Sequence, residues 1–298
     1  MLTMFKTFAV ILAATVIMAA GTPSFAAPVK ADKKGILIAS FGTSMPQAKR
    51  AIDNLVESTK KAFPGVEVRI SYTSNIIRKK IAKEQKLIIP TPMEALAKMN
   101  DDGFTHVYVM PMHIIPGEEY EDIKSVTDAF ASIKGKYGFR VLKLGTPFIA
   151  QVSDCDVMAD VLINRFSAQL ADKEAAIVLM GHGTPNNIAN ALYSQLQLSL
   201  NKKAEGRFFL GTVEAAPMID DVIVALKQSS AKKLVLSPLM IVAGDHANND
   251  LADAKDPESW ISLLEKAGYK NISTYLVGLG EDPQMASLFV NEIKEMMK

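Results

Sequence analysis

The amino-acid sequence runs through one plan twice, and that repetition limits the fold more than any other feature. Ile38-Ala39-Ser40-Phe41-Gly42-Thr43-Ser44 aligns with Leu179-Met180-Gly181-His182-Gly183-Thr184-Pro185, and at the same offset Thr73 falls on Glu214. A second pair matches Val107-Tyr108-Val109-Met110-Pro111 with Leu234-Val235-Leu236-Ser237-Pro238, which brings His113 onto Met240, Gly117 onto Gly244 and Glu119 onto His246. In each copy short runs of Val, Ile and Leu alternate with longer amphipathic stretches, the rhythm of strands and crossover helices around a parallel sheet. Gly35 to Ser40 predicts the first strand, and Pro46 opens a helix whose apolar positions Ala48, Ala51, Ile52, Leu55 and Val56 share one face. Further strands are expected at Val66 to Tyr72, His106 to Met110, Phe139 to Leu144, Ala176 to Met180 and Leu234 to Ser237, with helices at about 75–86, 93–100 and 118–134. The fold class that follows is α/β: two similar lobes at 33–150 and 174–298, each a parallel sheet flanked by helices. A helix starting near Val152 leads from one to the other. Loops from the strand ends of the two lobes then face each other across a cleft, where ligands of open α/β sheets bind.

The first residues bear on compartment. Lys6 is followed by an apolar run from Phe8 to Ala20, too short to span a bilayer comfortably, and then by Ser24-Phe25-Ala26. That order predicts a signal peptide over residues 1–26 and an exported, periplasmic protein with no membrane segment after cleavage. Cleavage removes one lysine, so the 33 basic residues become 32 and balance the 32 acidic ones. Such neutrality argues against nucleic acid as a partner. The single cysteine, Cys155, forms no internal disulfide, so stability rests on a packed core.

Histidine is scarce, with four in the chain, and its placement is informative. His182 lies between two glycines directly after a strand, presented with little cover. His246 sits in the polar loop Gly244-Asp245-His246-Ala247-Asn248-Asn249-Asp250 after the strand Leu234 to Ser237; the same letters also fit a simple turn with Asp245 capping the next helix. Glu119 reads as an acid in a helix first turn until the repeat sets it opposite His246. Glu214, in Val213-Glu214-Ala215-Ala216-Pro217, is an acid in an apolar setting at a strand end, suited to proton transfer. His106 reads as a surface residue at a strand start, and His113, on the place of Met240, as a packed residue rather than a ligand. Two imidazoles with a carboxylate opposite make an open site for cobalt, iron, nickel or zinc.

These segments resemble the class II chelatases, and among them the anaerobic-type sirohydrochlorin cobaltochelatases. The resemblance rests on Ser40-Phe41-Gly42-Thr43-Ser44, Thr73-Ser74-Asn75-Ile76-Ile77-Arg78-Lys79, His113-Ile114-Ile115-Pro116-Gly117-Glu118-Glu119-Tyr120-Glu121, Met180-Gly181-His182-Gly183, Val213-Glu214 and Pro238 through Asp250. It implies an enzyme that inserts divalent cobalt into sirohydrochlorin, with ferrous iron and nickel as alternative metals and no organic cofactor. It also implies a metal site of His182, His246 and Glu119, with His182 and Glu214 as catalytic groups. Ser40, Thr43, Arg78 and Lys79 are the candidate substrate contacts, since a polycarboxylate tetrapyrrole calls for basic groups at the cleft rim, although a solvated helix face explains the run Arg78-Lys79-Lys80 as well. Imidazoles must be neutral to bind metal, so activity is expected to fall as pH drops through the histidine range. A homo-oligomer is left open. The competing expectation is an exported metal- or haem-binding protein that passes its cargo on without catalysis.

Overall fold

The computed structural model describes residues 31–298, so the signal peptide expected at 1–26 lies outside the described residues. Asp32–Lys298 form one compact unit that contains two four-stranded parallel sheets. Strands β1 (Lys34–Ser40), β2 (Glu67–Tyr72), β3 (His106–Pro111) and β4 (Val141–Leu144) make the first, in the spatial order β2-β1-β3-β4. Strands β5 (Ala175–Gly181), β6 (Phe208–Thr212), β7 (Lys233–Pro238) and β8 (Asn271–Thr274) make the second, in the order β6-β5-β7-β8. The repeated letters thus become a repeated topology. In each sheet the chain reverses its winding between the first and third strands, which leaves a crevice at their carboxyl ends.

Continuous apolar runs form the central strands because both faces of each sheet are covered. All seven residues of β5 and the last six of β1 are buried. Their side chains alternate between faces as strand geometry requires: Ile36 and Ile38 enter a core shared by the two sheets, whereas Leu37 and Ala39 pack outward. The edge strands β4 and β8 are only four residues long and partly exposed, which limits their use as templates for further pairing.

The first sheet carries α1 (Pro46–Ala62), α2 (Asn75–Gln85), α3 (Pro92–Asp101) and α4 (Glu118–Ser132). Pro46 starts α1 where a missing N–H costs nothing. A Thr91–Glu94 capping box closes the start of α3, and Glu118, Glu119 and Glu121 complement the dipole at the start of α4. After the last strand of the first sheet come α5 (Val152–Arg165) and α6 (Ser167–Leu170), and the second sheet carries α7 (Ala191–Lys203), α8 (Ile219–Lys227), α9 (Trp260–Lys266) and α10 (Pro283–Met296).

Two of these helices cross over. α5 follows the last strand of the first sheet but packs on α7, and α10 follows the last strand of the second sheet but packs on α1. As a result Ile38, Leu55 and Tyr72 share one continuous core with Met158 of α5, Ile177, Leu196, Phe208 and Phe289 of α10. The end of α5 is tied to the start of α10 by Arg165, whose Nη1 reaches Asp282 Oδ2 at 3.0 Å and whose Nη2 donates to the Val277 carbonyl at 2.9 Å. Both charged side chains are under a tenth exposed, so removing either partner would leave a buried charge alone.

Candidate functional site

Loops following the strands of both sheets enclose a cavity of about 520 Å³. Two glycines shape equivalent turns. Gly42 after β1 has φ +96° and Gly183 after β5 has φ +82°, a region that disfavours any side chain. A Cβ on Gly42 would meet the Tyr72 ring, and one on Gly183 would meet Thr212 Oγ1 at 2.8 Å. Each loop therefore folds tightly over the neighbouring strand and lifts the preceding residue, Phe41 or His182, to the cavity wall. Their rings lie 6.5 Å apart between centroids.

Glu119, His182, Glu214 and His246 all line this one cavity, as do Ser40 and Thr43. The His182 and His246 rings meet edge to face with centroids 4.7 Å apart. His182 Nδ1 lies 3.0 Å from the Gly183 carbonyl oxygen and 3.4 Å from Glu214 Oε2. His246 Nδ1 is hydrogen-bonded to Asp250 Oδ2. An oxygen thus lies beside each Nδ1, a geometry that favours the tautomer with the hydrogen on Nδ1 and the lone pair on Nε2. His246 opens a π-helical turn over Ala247–Leu251, a wide turn often found at functional sites, which sets Asp250 back against the same ring. Asp245 is exposed and the turn has no side-chain cap, so the capping role expected for Asp245 does not occur. Beneath His182, the buried Tyr193 sets its hydroxyl against the backbone of His182 and Gly183; burial pushes its pKa to about 12, so it stays protonated.

The two glutamates differ from expectation. Glu214 is exposed rather than held in an apolar setting. Glu119 is the drier group: burial lifts its carboxyl above the usual range, the Thr73 hydroxyl beside it pulls the other way, and Asp122 adds to the rise. Thr73 Oγ1 is itself buried without a hydrogen bond of good geometry. Among the described residues no three His, Cys, Asp or Glu side chains stand close enough to enclose a metal ion. What the cavity offers is an imidazole pair with Glu214 at its edge. Across the cavity the Glu118 N–H donates to Thr184 Oγ1 at 3.2 Å, joining the two walls.

Substrate contacts expected from the basic run need correction. Neither Arg78 nor Lys79 lines the cavity, and among the described residues none that does is a lysine or an arginine. The Arg78 guanidinium is taken up by the Ile89 carbonyl at 2.7 Å, Asn75 Oδ1 at 2.9 Å and Glu94 Oε2 at 2.7 Å, which fasten α2 to α3 and the loop between them. Lys79 is simply exposed. Ser40 and Thr43 use their hydroxyls on the loop itself, accepting from Gly42 N at 3.2 Å and Met45 N at 3.1 Å. Sequence reasoning passed over Phe41, Asp250, Thr184 and Tyr193. The first two had signals: Phe41 stands at the repeat position of His182, and Asp250 lies four residues after His246, within reach on a helical turn.

The chain is 35% identical over 240 residues to the sirohydrochlorin cobaltochelatase CbiKC of Nitratidesulfovibrio vulgaris, covering 80% of this chain and 82% of that protein. It is 30% identical over 268 residues to the sirohydrochlorin cobaltochelatase of Salmonella typhimurium, covering 89% of this chain and 97% of that protein. Among solved structures, SirB from Bacillus subtilis with Fe3+ shares the fold at a TM-score of 0.59 and 17% identity, covering 89% of this chain and 95% of that one. CbiX, a terminal enzyme of sirohaem biosynthesis in denitrifying bacteria, shares it at 0.52 and 16% identity, covering 88% and 98%. The profile of the cobalt chelatase (CbiK) family matches residues 34–298, nearly everything the structure describes, and the chain therefore belongs to that family.

Proposed function

We propose that this protein inserts cobalt(II) into sirohydrochlorin. The observation that carries the reading is the pair of imidazoles from separate loops, with ring centroids 4.7 Å apart and an oxygen acceptor beside each Nδ1. Metal insertion needs an ion held weakly enough to be handed over, a macrocycle placed against it, and an acceptor for the pyrrole protons. His182 and His246 bind the incoming ion, with Glu214 joining from the edge of the pair. Open coordination positions let the ion pass to the macrocycle nitrogens. Relative to the sequence-based assignment, this reading exchanges the two glutamates: Glu119, whose carboxyl is lifted by burial, is the better proton acceptor. The apolar part of the wall, including Phe41, Ile76, Leu239 and Ile241, matches the face of a tetrapyrrole. Its carboxylates stay toward solvent, because the wall offers them acids and no cations. Residues 1–26 direct export, so this chemistry takes place outside the cytoplasm.

Purified protein mixed with metal-free sirohydrochlorin and, separately, cobalt, ferrous and nickel ions tests the activity. Many turnovers per protein, read from the visible spectrum and fastest with cobalt, are expected. Stoichiometric binding with no metallated product would sink the reading and leave a carrier. Mass measurement of the protein recovered from a periplasmic fraction tests export, with a chain starting at Ala27 as the expected result.

A further inference from the structure

His113 stands on the first half's wall of the cavity and has no part in the chemistry described so far. It follows β3 in a segment held by backbone hydrogen bonds, from Phe148 N to the His113 carbonyl at 3.0 Å and from Ile149 N to the Ile114 carbonyl at 2.8 Å. Neither of its ring nitrogens is reached by solvent, and neither has a hydrogen-bond partner. Burial pushes its pKa down to about 4 and keeps the ring neutral. One nitrogen therefore holds a hydrogen with nothing to receive it, and the other a lone pair with nothing to donate to it. Orphaned buried groups of this kind are rare in native proteins and destabilise them.

The repeat supplies an internal control. Met240 occupies the same place in the second half and lines the same cavity, packing without any group that needs a hydrogen bond. Filling this position therefore does not require an imidazole. The cavity's chemistry narrows what the ring can meet. Its wall includes Glu118, Glu119, Glu214 and Asp245 and no lysine or arginine, so the charged periphery of a polycarboxylate is kept out and the uncharged pyrrole centre faces inward. The residue is partly exposed although its nitrogens are not. A half-turn about Cβ–Cγ exchanges the ring's nitrogen and carbon positions at constant volume, so a nitrogen can be turned without repacking.

Resting on the chelatase reading, we propose that His113 is a substrate-binding residue whose neutral imidazole hydrogen-bonds the pyrrole nitrogens of the incoming macrocycle from the first half's wall, orienting it while the second half delivers the metal. The missing partner of His113 is then the substrate itself, and stability is given up in the free protein for recognition in the complex.

The test uses the full chain with His113→Met, which copies the other half, and His113→Gln, which keeps an amide able to donate and accept. Titration with metal-free sirohydrochlorin should give a Kd about tenfold weaker for His113→Met, the size of one buried hydrogen bond. The Kd should be largely restored in His113→Gln. Affinity for cobalt alone should be unchanged in both, and His113→Met should melt above the wild type. Wild-type tetrapyrrole affinity in His113→Met overturns the proposal, as does a melting temperature below the wild type, since the nitrogens would then already have partners. A wild-type protein that binds the tetrapyrrole but never metallates it would sink the chelatase reading instead, and the binding comparison would still decide the role of His113.

Discussion

The two halves of the molecule have the same sheet order, the same left-handed turn after their first strand and a share of one cavity, yet they present opposite chemistry at matching places. By the sequence repeat, Phe41, Thr73 and Glu119 of the first half stand where the second half has His182, Glu214 and His246, and all of these but Thr73 line the cavity. Of the histidines that line the cavity, those of the second half have ring-nitrogen partners that orient them, and His113 of the first half has none. The difference teaches that a duplicated scaffold need not make a symmetric site. Six donors arranged around a pseudo-twofold axis would hold an ion too well to release it. In the proposed reading one wall binds the metal, and the other offers an aromatic ring and a desolvated acid.

The comparison can be broken most severely at the histidines. His182→Ala and His246→Ala should each lower cobalt insertion by on the order of 10³-fold or more, while Phe41→Ala costs about tenfold or less. Initial rates of the absorbance change measure this, and comparable losses on both walls would end the idea of a one-sided metal site. Glu119→Gln tests the drier acid. The insertion rate should fall about 10²-fold, the range of general-base contributions, and the melting temperature at neutral pH should rise by about 2–4 °C. The sign follows from the raised carboxyl pKa. The folded state holds that proton more tightly than the unfolded chain, so stability is full below the ordinary glutamate value of 4.5 and is lost as pH rises through the folded one. Glutamine avoids that loss, so its advantage should disappear when melting is repeated below pH 4.5. A pH-independent difference would show that the carboxyl is not desolvated.

Asp250→Asn comes next. Loss of the carboxylate behind His246 should weaken cobalt binding or activity by roughly 10- to 100-fold, as for other residues that orient metal-binding histidines. Isothermal titration with cobalt reads it directly, and unchanged affinity would mean that the His246 ring needs no partner. Arg78→Ala should have the smallest effect on catalysis. Loss of its bonds to Ile89, Asn75 and Glu94 should lower the melting temperature by about 2–4 °C while KM for sirohydrochlorin stays the same. A large rise in KM would return Arg78 to the substrate site.

Much of this was legible in the letters because it depends on position along the chain. Strand periodicity placed the sheets, the repeat placed equivalent loops, and glycines around His182 marked a residue lifted to the surface. Properties that depend on three-dimensional neighbours were not legible. Whether Glu119 or Glu214 is drier depends on what packs over each. Arg78 looked free because its partners Ile89 and Glu94 lie across a loop. The lack of cations around the cavity is a property of the assembled wall. One strand boundary also shifted: the fourth strand, expected from Phe139, begins at Val141.

The crossing of α5 and α10 has a consequence for independence. Each half lends its final helix to cover its neighbour's first one, so residues 33–165 by themselves would display both a donor helix with nowhere to dock and a bare face on α1. In the intact chain that same reciprocity works as a clasp, so access to the interior comes through the loops rather than by swinging the halves apart.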